Sequence, residues 1–285
     1  VFDLNKIIAR QAPRPEKIKE KINAALETTV PEISPAEIAG LTDWSLLADE
    51  QSVEVNERDL TNLRAVYSDD ADFRFAGVCV YPNFLELAKN YLKNSKTKVV
   101  AVTGNFPTGQ TRLKAKLTET RMAIDSGADE VDYVVDRTAI IDKQYEKLAE
   151  ELMAVKGVCG ATPLKVILET GALPDLKAVQ TATAIAIGCG VQFVKTSTGK
   201  TAVGATFEAV WVILNELRRS IEEGGAHVGI KISGGISSRQ LAKQYIRLTQ
   251  AVLGNQWVDT NSFRLGAGAF GMELLKLHQD KKNKQ

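Results

Sequence analysis

The sequence predicts an α/β fold, a single (β/α)8 TIM barrel with an additional N-terminal helical segment. Three observations carry this expectation. Eight short runs rich in apolar and β-branched residues recur along the 285-residue chain, each followed by a longer segment of helical period. Their starts lie roughly two dozen to under forty residues apart, the length of one strand-plus-helix unit. No G-x-G-x-x-G follows the first run, so the phosphate turn of an open dinucleotide-binding sheet is missing. Eight such units in a chain of this length favour closure into a barrel.

Residues 1–38 read as the N-terminal helical extension. In "RPEKIKEKINAALETTV", Ile18, Ile22 and Leu26 share one face, an amphipathic helix expected to pack across the barrel bottom or a neighbouring subunit. The barrel is expected over 39–278. Its first four strands are "AGLTDW" (39–44), "FAGVCVY" (75–81), "KVVAVTG" (98–104) and "EVDYVVD" (130–136). The second four are "LKVILET" (164–170), "FVKTSTG" (193–199), "VGIKISG" (228–234) and "FRLGAG" (263–268). In "QTRLKAKLTETRMAIDSG", Leu113, Leu117, Ala123 and Ile124 make the expected buried stripe, and Gly127 supplies a left-handed stop. Gly188 is expected to end "AVQTATAIAIG" in the same way. Residues 279–285 read as a solvated tail.

Composition narrows the function. With 36 Lys and Arg against 35 Asp and Glu, the net charge of +1 gives no reason to expect a nucleic acid or a membrane as partner. No long apolar span or signal-like stretch is read near the start. Cys79, Cys159 and Cys189 lie far apart, as buried reduced thiols of a cytoplasmic protein would. The two histidines, His227 and His278, are too few and too separated for a His-rich zinc site or a Ser-His-Asp arrangement. Chemistry here is expected to run on lysines and carboxylates, without metal or cofactor.

Strand parity says where those groups point. Barrel strands alternate inward and outward. If the mainly apolar faces meet the helices, then Asp132, Lys165, Glu169, Lys195 and Lys231 all face the interior. Lys165 and Glu169 read as an interior ion pair. Lys195 and Lys231 fall on neighbouring strands, about 5 Å apart. At an effective dielectric of about 20, two cations at that distance repel by roughly 3 kcal/mol, enough to bring a lysine from about 10.4 toward 8. A neutral amine near working pH attacks carbonyls. On this reading Lys231→Leu leaves stability little changed. Glycine-rich turns follow three strands, with Gly199 and Lys200, Gly234 and Gly235, and Gly266 and Gly268. Such loops beside helix N-termini suit a phosphate.

At these residues the sequence resembles deoxyribose-phosphate aldolase, a class I (Schiff-base) aldolase family. The resemblance rests on "GADEVDYV" (127–134), "QFVKTSTGK" (192–200) and "GIKISGG" (229–235), supported by "VCVYP", "NFPTGQT" and "KVILETG", and runs from about residue 40 to 275. It implies reversible cleavage of 2-deoxy-D-ribose 5-phosphate to acetaldehyde and D-glyceraldehyde 3-phosphate. It also implies Lys195 as the Schiff-base lysine, Lys231 as the lysine that tunes it, Asp132 as the acid/base and Asp43 as a site-lining aspartate. The chain departs from the family pattern at Gly268 and Ala269, where many relatives have serines, and at Gly204, where Asn is frequent. A weakly active aldolase-fold adaptor or scaffold is the alternative. Homo-oligomers stay open on either reading, and a protein partner on the second.

Overall fold

The computed structural model describes residues 3–27, 32–69 and 72–282. Eight parallel strands close into one barrel in chain order. They are β1 (Thr42–Leu46), β2 (Gly77–Val80), β3 (Lys98–Thr103), β4 (Glu130–Val134), β5 (Leu164–Ile167), β6 (Phe193–Lys195), β7 (Gly229–Ser233) and β8 (Phe263–Ala267). Ahead of β1 come α1 (Leu4–Ile8), α2 (Pro15–Glu27) and α3 (Pro35–Gly40). Around the barrel run α4 (Val53–Asp69), α5 (Leu85–Leu92), α6 (Leu113–Asp125), α7 (Arg137–Ile141), α8 (Tyr145–Cys159), α9 (Leu176–Gly188), α10 (Phe207–Glu222), α11 (Arg239–Leu253) and α12 (Ala269–Lys282). No helix among the described residues is long and apolar enough to cross a membrane.

The large core lies between strands and helices, where outward residues such as Val78, Tyr133, Val166, Ile230 and Ile232 meet the helical faces. Inside the barrel a second, small apolar cluster of Leu47, Cys79, Val100 and Val102 fills the side nearest β2 and β3. Most of the remaining interior is charged, with the Phe193 ring beneath Lys165 and Arg264. Several helices are fixed by side-chain caps where the chain leaves the loops: Asp175 for α9, Thr206 for α10 and Ser238 for α11. Ser34 and Glu37 form a capping box that starts α3, and that helix straddles the expected boundary between residues 38 and 39.

Three local expectations need correction. The amphipathic helix α2 does bury Ile18 and Ile22, but it packs on the barrel flank against α10 and α11 rather than across the bottom; residues 28–30 of that stretch lie outside the described residues. On α6 Ala123 is buried and Leu117 and Ile124 pack against the core as expected, but Leu113 is exposed, and Lys116 and Thr120 join the buried face. Lys116 is tolerated there because its Nζ reaches Glu151 Oε1 at 2.7 Å and the Val134 carbonyl at 3.0 Å. Gly127 stops α6 at φ +93° as expected, whereas α9 runs through Gly188 and the left-handed residue is Gly190 at φ +77°. At the other end, α12 continues through Lys282 into the expected tail, whose residues 283–285 lie outside the described residues.

Candidate active site

Strand register brings the interior charges side by side. Asp132 on β4 is level with Lys165 on β5, Lys195 on β6 with Lys231 on β7, and Lys231 with Arg264 on β8. Asp132 sits at the junction: its Oδ2 accepts from Lys195 Nζ and from Lys231 Nζ, each at 2.7 Å, and its Oδ1 from Lys165 Nζ at 2.9 Å. Lys231 also donates to Asp43 Oδ2 at 2.5 Å. The other Asp43 oxygen takes Arg264 at 2.6 Å. Glu130 closes the far side, 2.6 Å from Lys165 and 3.1 Å from Arg264. All seven side chains are buried.

Burial alone would push the carboxyls of Asp43 and Asp132 up and the amines of Lys165 and Lys231 down, and the charges reverse both. Asp132 is held well below the usual carboxylate range by Lys165, Lys195 and Lys231 despite desolvation. Asp43 is likewise depressed, by Lys231, Arg264 and Lys165. For Lys231, Asp132 and then Asp43 outweigh burial and raise it above an ordinary lysine. Lys165 is raised by Asp132 and Glu130. The expectation of two bare cations repelling across 5 Å is therefore corrected: a carboxylate oxygen bridges them, and Lys231 is a firmly protonated ammonium. The expected Lys165–Glu169 pair is also corrected. Lys165 pairs with Glu130 and Asp132.

Glu169 leaves the strand parity because its backbone is left-handed, at φ +55°. Its carboxylate turns to the segment after β6. There it accepts from the Thr198 amide at 3.2 Å, from the Thr198 hydroxyl, and from Thr201 at 3.2 Å. The "FVKTSTG" strand thus ends at Lys195, and Ser197–Lys200 form a loop pinned from β5.

Above the charge cluster a cavity of about 380 Å³ opens at the C-terminal ends of β1, β6, β7 and β8. Lys195 reaches its floor, while Lys231, Lys165 and Asp132 lie beneath, sealed from it. Gly199, Lys200, Gly234, Gly235, Gly266 and Gly268 line the walls, and Ala269 brings the first turn of α12 to the rim. Lys200 is paired with Asp49 across the mouth. Gly266 has a packing reason to lack a Cβ, which would stand 2.7 Å from Ser233 Cβ and 3.3 Å from Lys231 Cε. Among the described residues no group of three or more His, Cys, Asp or Glu is arranged to hold a metal ion.

Comparison with known proteins places the chain in a family. The sequence profile described as "DeoC/LacD family aldolase" matches residues 44–257, which contain Asp132, Lys165, Lys195 and Lys231. This chain belongs to the DeoC/LacD aldolase family. The mouse deoxyribose-phosphate aldolase is 38% identical over 209 residues, 73% of this chain and 66% of the mouse protein. Deoxyribose-phosphate aldolase of Agrobacterium fabrum is 37% identical over 231 residues, covering 77% of this chain and 88% of that protein. Among solved structures, the tetrameric deoxyribose phosphate aldolase of Aeropyrum pernix superposes with a TM-score of 0.65 at 22% identity, over 94% of this chain and 99% of that one.

Within this aldolase barrel, the structure brings Asp43, Asp132, Lys165, Lys195 and Lys231 together and sets Glu169 apart under the β6 loop. Sequence reading missed two members of the cluster, Glu130 and Arg264. Both carried a usable signal. Glu130 stands two residues before Asp132, on the same strand face, and Arg264 alternates with Phe263 and Leu265 as Lys231 does with Ile230 and Ile232.

Proposed function

We propose that the protein is a class I aldolase that reversibly cleaves 2-deoxy-D-ribose 5-phosphate to acetaldehyde and D-glyceraldehyde 3-phosphate, with Lys195 as the Schiff-base lysine. One observation carries the choice of lysine: of the three barrel lysines, only Lys195 reaches the cavity, and it contacts a single carboxylate, Asp132. Lys231 and Lys165 are each held by two carboxylates within 2.9 Å. The names borne by the relatives, deoxyribose-phosphate aldolase, support the substrate; they lend nothing to an adaptor role.

On this reading the reaction runs in three stages. The unprotonated Lys195 amine adds to C1 of the open-chain aldehyde, and loss of water gives the imine. A base removes the C3 hydroxyl proton, the C2–C3 electron pair flows into the imine, and glyceraldehyde 3-phosphate leaves an enamine on Lys195. Protonation at C2 and hydrolysis then release acetaldehyde. Asp132, directly or through one water, suits the proton transfers. While three ammonium groups surround it, its carboxylate is a poor base. While Lys195 is the neutral amine that adds to C1, one of those cations is gone and the carboxylate is more basic; the protonated imine that accepts the C2–C3 pair restores that charge.

At the other end of the cavity, the N-terminal end of α12, the Gly234–Gly235 turn and Lys200 would hold the phosphate, Lys200 exchanging Asp49 for it. Ser45 faces the same space and is placed for a sugar hydroxyl. Three free, buried cysteines fit a cytoplasmic setting.

Trapping with acetaldehyde and borohydride followed by peptide mapping tests the reading. The reduced adduct is expected on Lys195 and is lost in Lys195→Ala; label on Lys231 or Lys200 would overturn the assignment. Turnover is expected to persist in EDTA, since the steps above use no metal, and restoration of a lost activity by zinc would point to another mechanism.

A further inference from the structure

Arg264 and Glu130 take no part in the steps above, yet they complete a closed circuit around Asp132. Read in order, the side chains are Asp132, Lys165, Glu130, Arg264, Asp43 and Lys231, returning to Asp132, each within 3.1 Å of the next. The signs alternate. Three carboxylates face three cations, so the ring is neutral by itself, and Lys195 hangs from Asp132 as a seventh charge. Every strand facing this ring is accounted for. Beyond the ring members on β1, β4, β5, β7 and β8, β2 contributes Cys79, whose Sγ is 3.8 Å from Asp132 and whose thiol burial pushes up to about 11, so it is neutral. From β3 come Val100 and Val102, and from β6 come Lys195 and the Phe193 ring, which lies under Lys165 and Arg264 at 6.0 and 5.8 Å.

We propose, resting on the aldolase reading above, that Arg264 and Glu130 are positioning residues for the Schiff-base chemistry: they close a charge-balanced ring that pins protons on Lys165 and Lys231 and leaves Lys195 the only lysine of the cluster whose proton is in excess. A buried assembly with net charge is costly, and the cheapest way to remove the charge is to take a proton from the group with the fewest partners. A guanidinium cannot supply that proton, because it does not deprotonate in proteins. Its charge is also anchored in place: Nε donates to the Thr260 carbonyl at 2.7 Å. Arg264 therefore fixes Asp43 and Glu130 as anions, and these in turn hold Lys231 and Lys165 as ammonium groups.

Charge sign gives a test that a merely structural role would not pass. The pH dependence of acetaldehyde–borohydride trapping on Lys195 is measured for the full chain and for Glu130→Gln, Arg264→Met and the double variant. Removing an anion makes the surroundings more positive, so the half-maximal pH of Glu130→Gln is expected to fall by about one unit; removing a cation should raise that of Arg264→Met by about one. In the double variant the two displacements should cancel. Both single variants moving in the same direction, or both slowing without displacement, would overturn the proposal. Should Arg264→Met fail to fold, Glu130→Gln decides alone, and Arg264→Lys, which keeps the charge, should leave the profile in place however much it slows turnover. If Lys195→Ala still traps acetaldehyde, it is the assignment of Lys195 that fails.

Discussion

Lys231 shows how one bridging atom changes a residue's role. Adjacent strands alone suggest that it acts on Lys195 by repulsion. With Asp132 Oδ2 shared at 2.7 Å by both ammonium groups, it acts by competition, so that Lys195 never has the carboxylate to itself. Lys231→Leu is accordingly expected to lower the melting temperature, by a loss of about 3–5 kcal/mol, because it leaves two buried carboxylates short of a cation. Unchanged melting would mean that water or a shifted Lys165 replaces the ammonium. The same variant should lose turnover at neutral pH and partly regain it at alkaline pH, since Lys195 becomes the replacement partner of Asp132 and keeps its proton longer. Of the interior charges, Lys195, Lys231, Asp132 and Lys165 were legible by parity because β4 to β7 are extended at those positions. Glu169 was not, since parity fails once a residue turns left-handed. Glu130 and Arg264 obeyed parity but stand at the beginnings of their strands, where a long charged side chain reads as surface.

At the scale of elements, the loops after β6 and β7 meet through glycine backbones, and this fixes the cavity wall. Gly204 packs against Gly234 so closely that a Cβ would stand 2.3 Å from the Gly234 carbonyl oxygen, while the Ala205 amide donates to that same oxygen at 3.1 Å. Gly204→Ala should force the two loops apart at a cost of about 1–3 kcal/mol. Because Gly234 lines the cavity, KM for the phosphorylated sugar should rise while borohydride trapping of acetaldehyde, which needs no phosphate, stays near wild type. Equal losses in both assays would place the damage at Lys195 instead. The sequence marked the eight strand-helix units, since β-branched runs and helical periods repeat. It missed Lys116 on the inner face of α6 because that side chain looks solvated until Glu151, 35 positions later in sequence, is found beside it. A pairing at that distance leaves no trace in a local pattern.

For the whole molecule, the ring ties folding to pH on both sides, and the signs can be worked out. Asp43 and Asp132 titrate lower in the folded chain than in the unfolded one, so their contribution is complete above about 4 and is lost as pH falls through the folded values. Lys165 and Lys231 titrate higher when folded, so theirs is complete below about 10.4 and is lost as pH rises through the folded values. Thermal melting should therefore show a plateau between about pH 4 and 10, falling beyond each end. Salt separates this ring from surface pairs such as Lys147–Asp136, which weaken as added salt shortens the Debye length to about 3 Å at 1 M. Buried charges are screened much less, so both limbs should persist at about 1 M salt. A plateau that narrows toward neutrality in Glu130→Gln and Arg264→Met, but not in a Lys147 variant, would trace the limbs to the ring. A steep decline between pH 6 and 8 in the wild type would mean that a group outside the ring governs folding in that range.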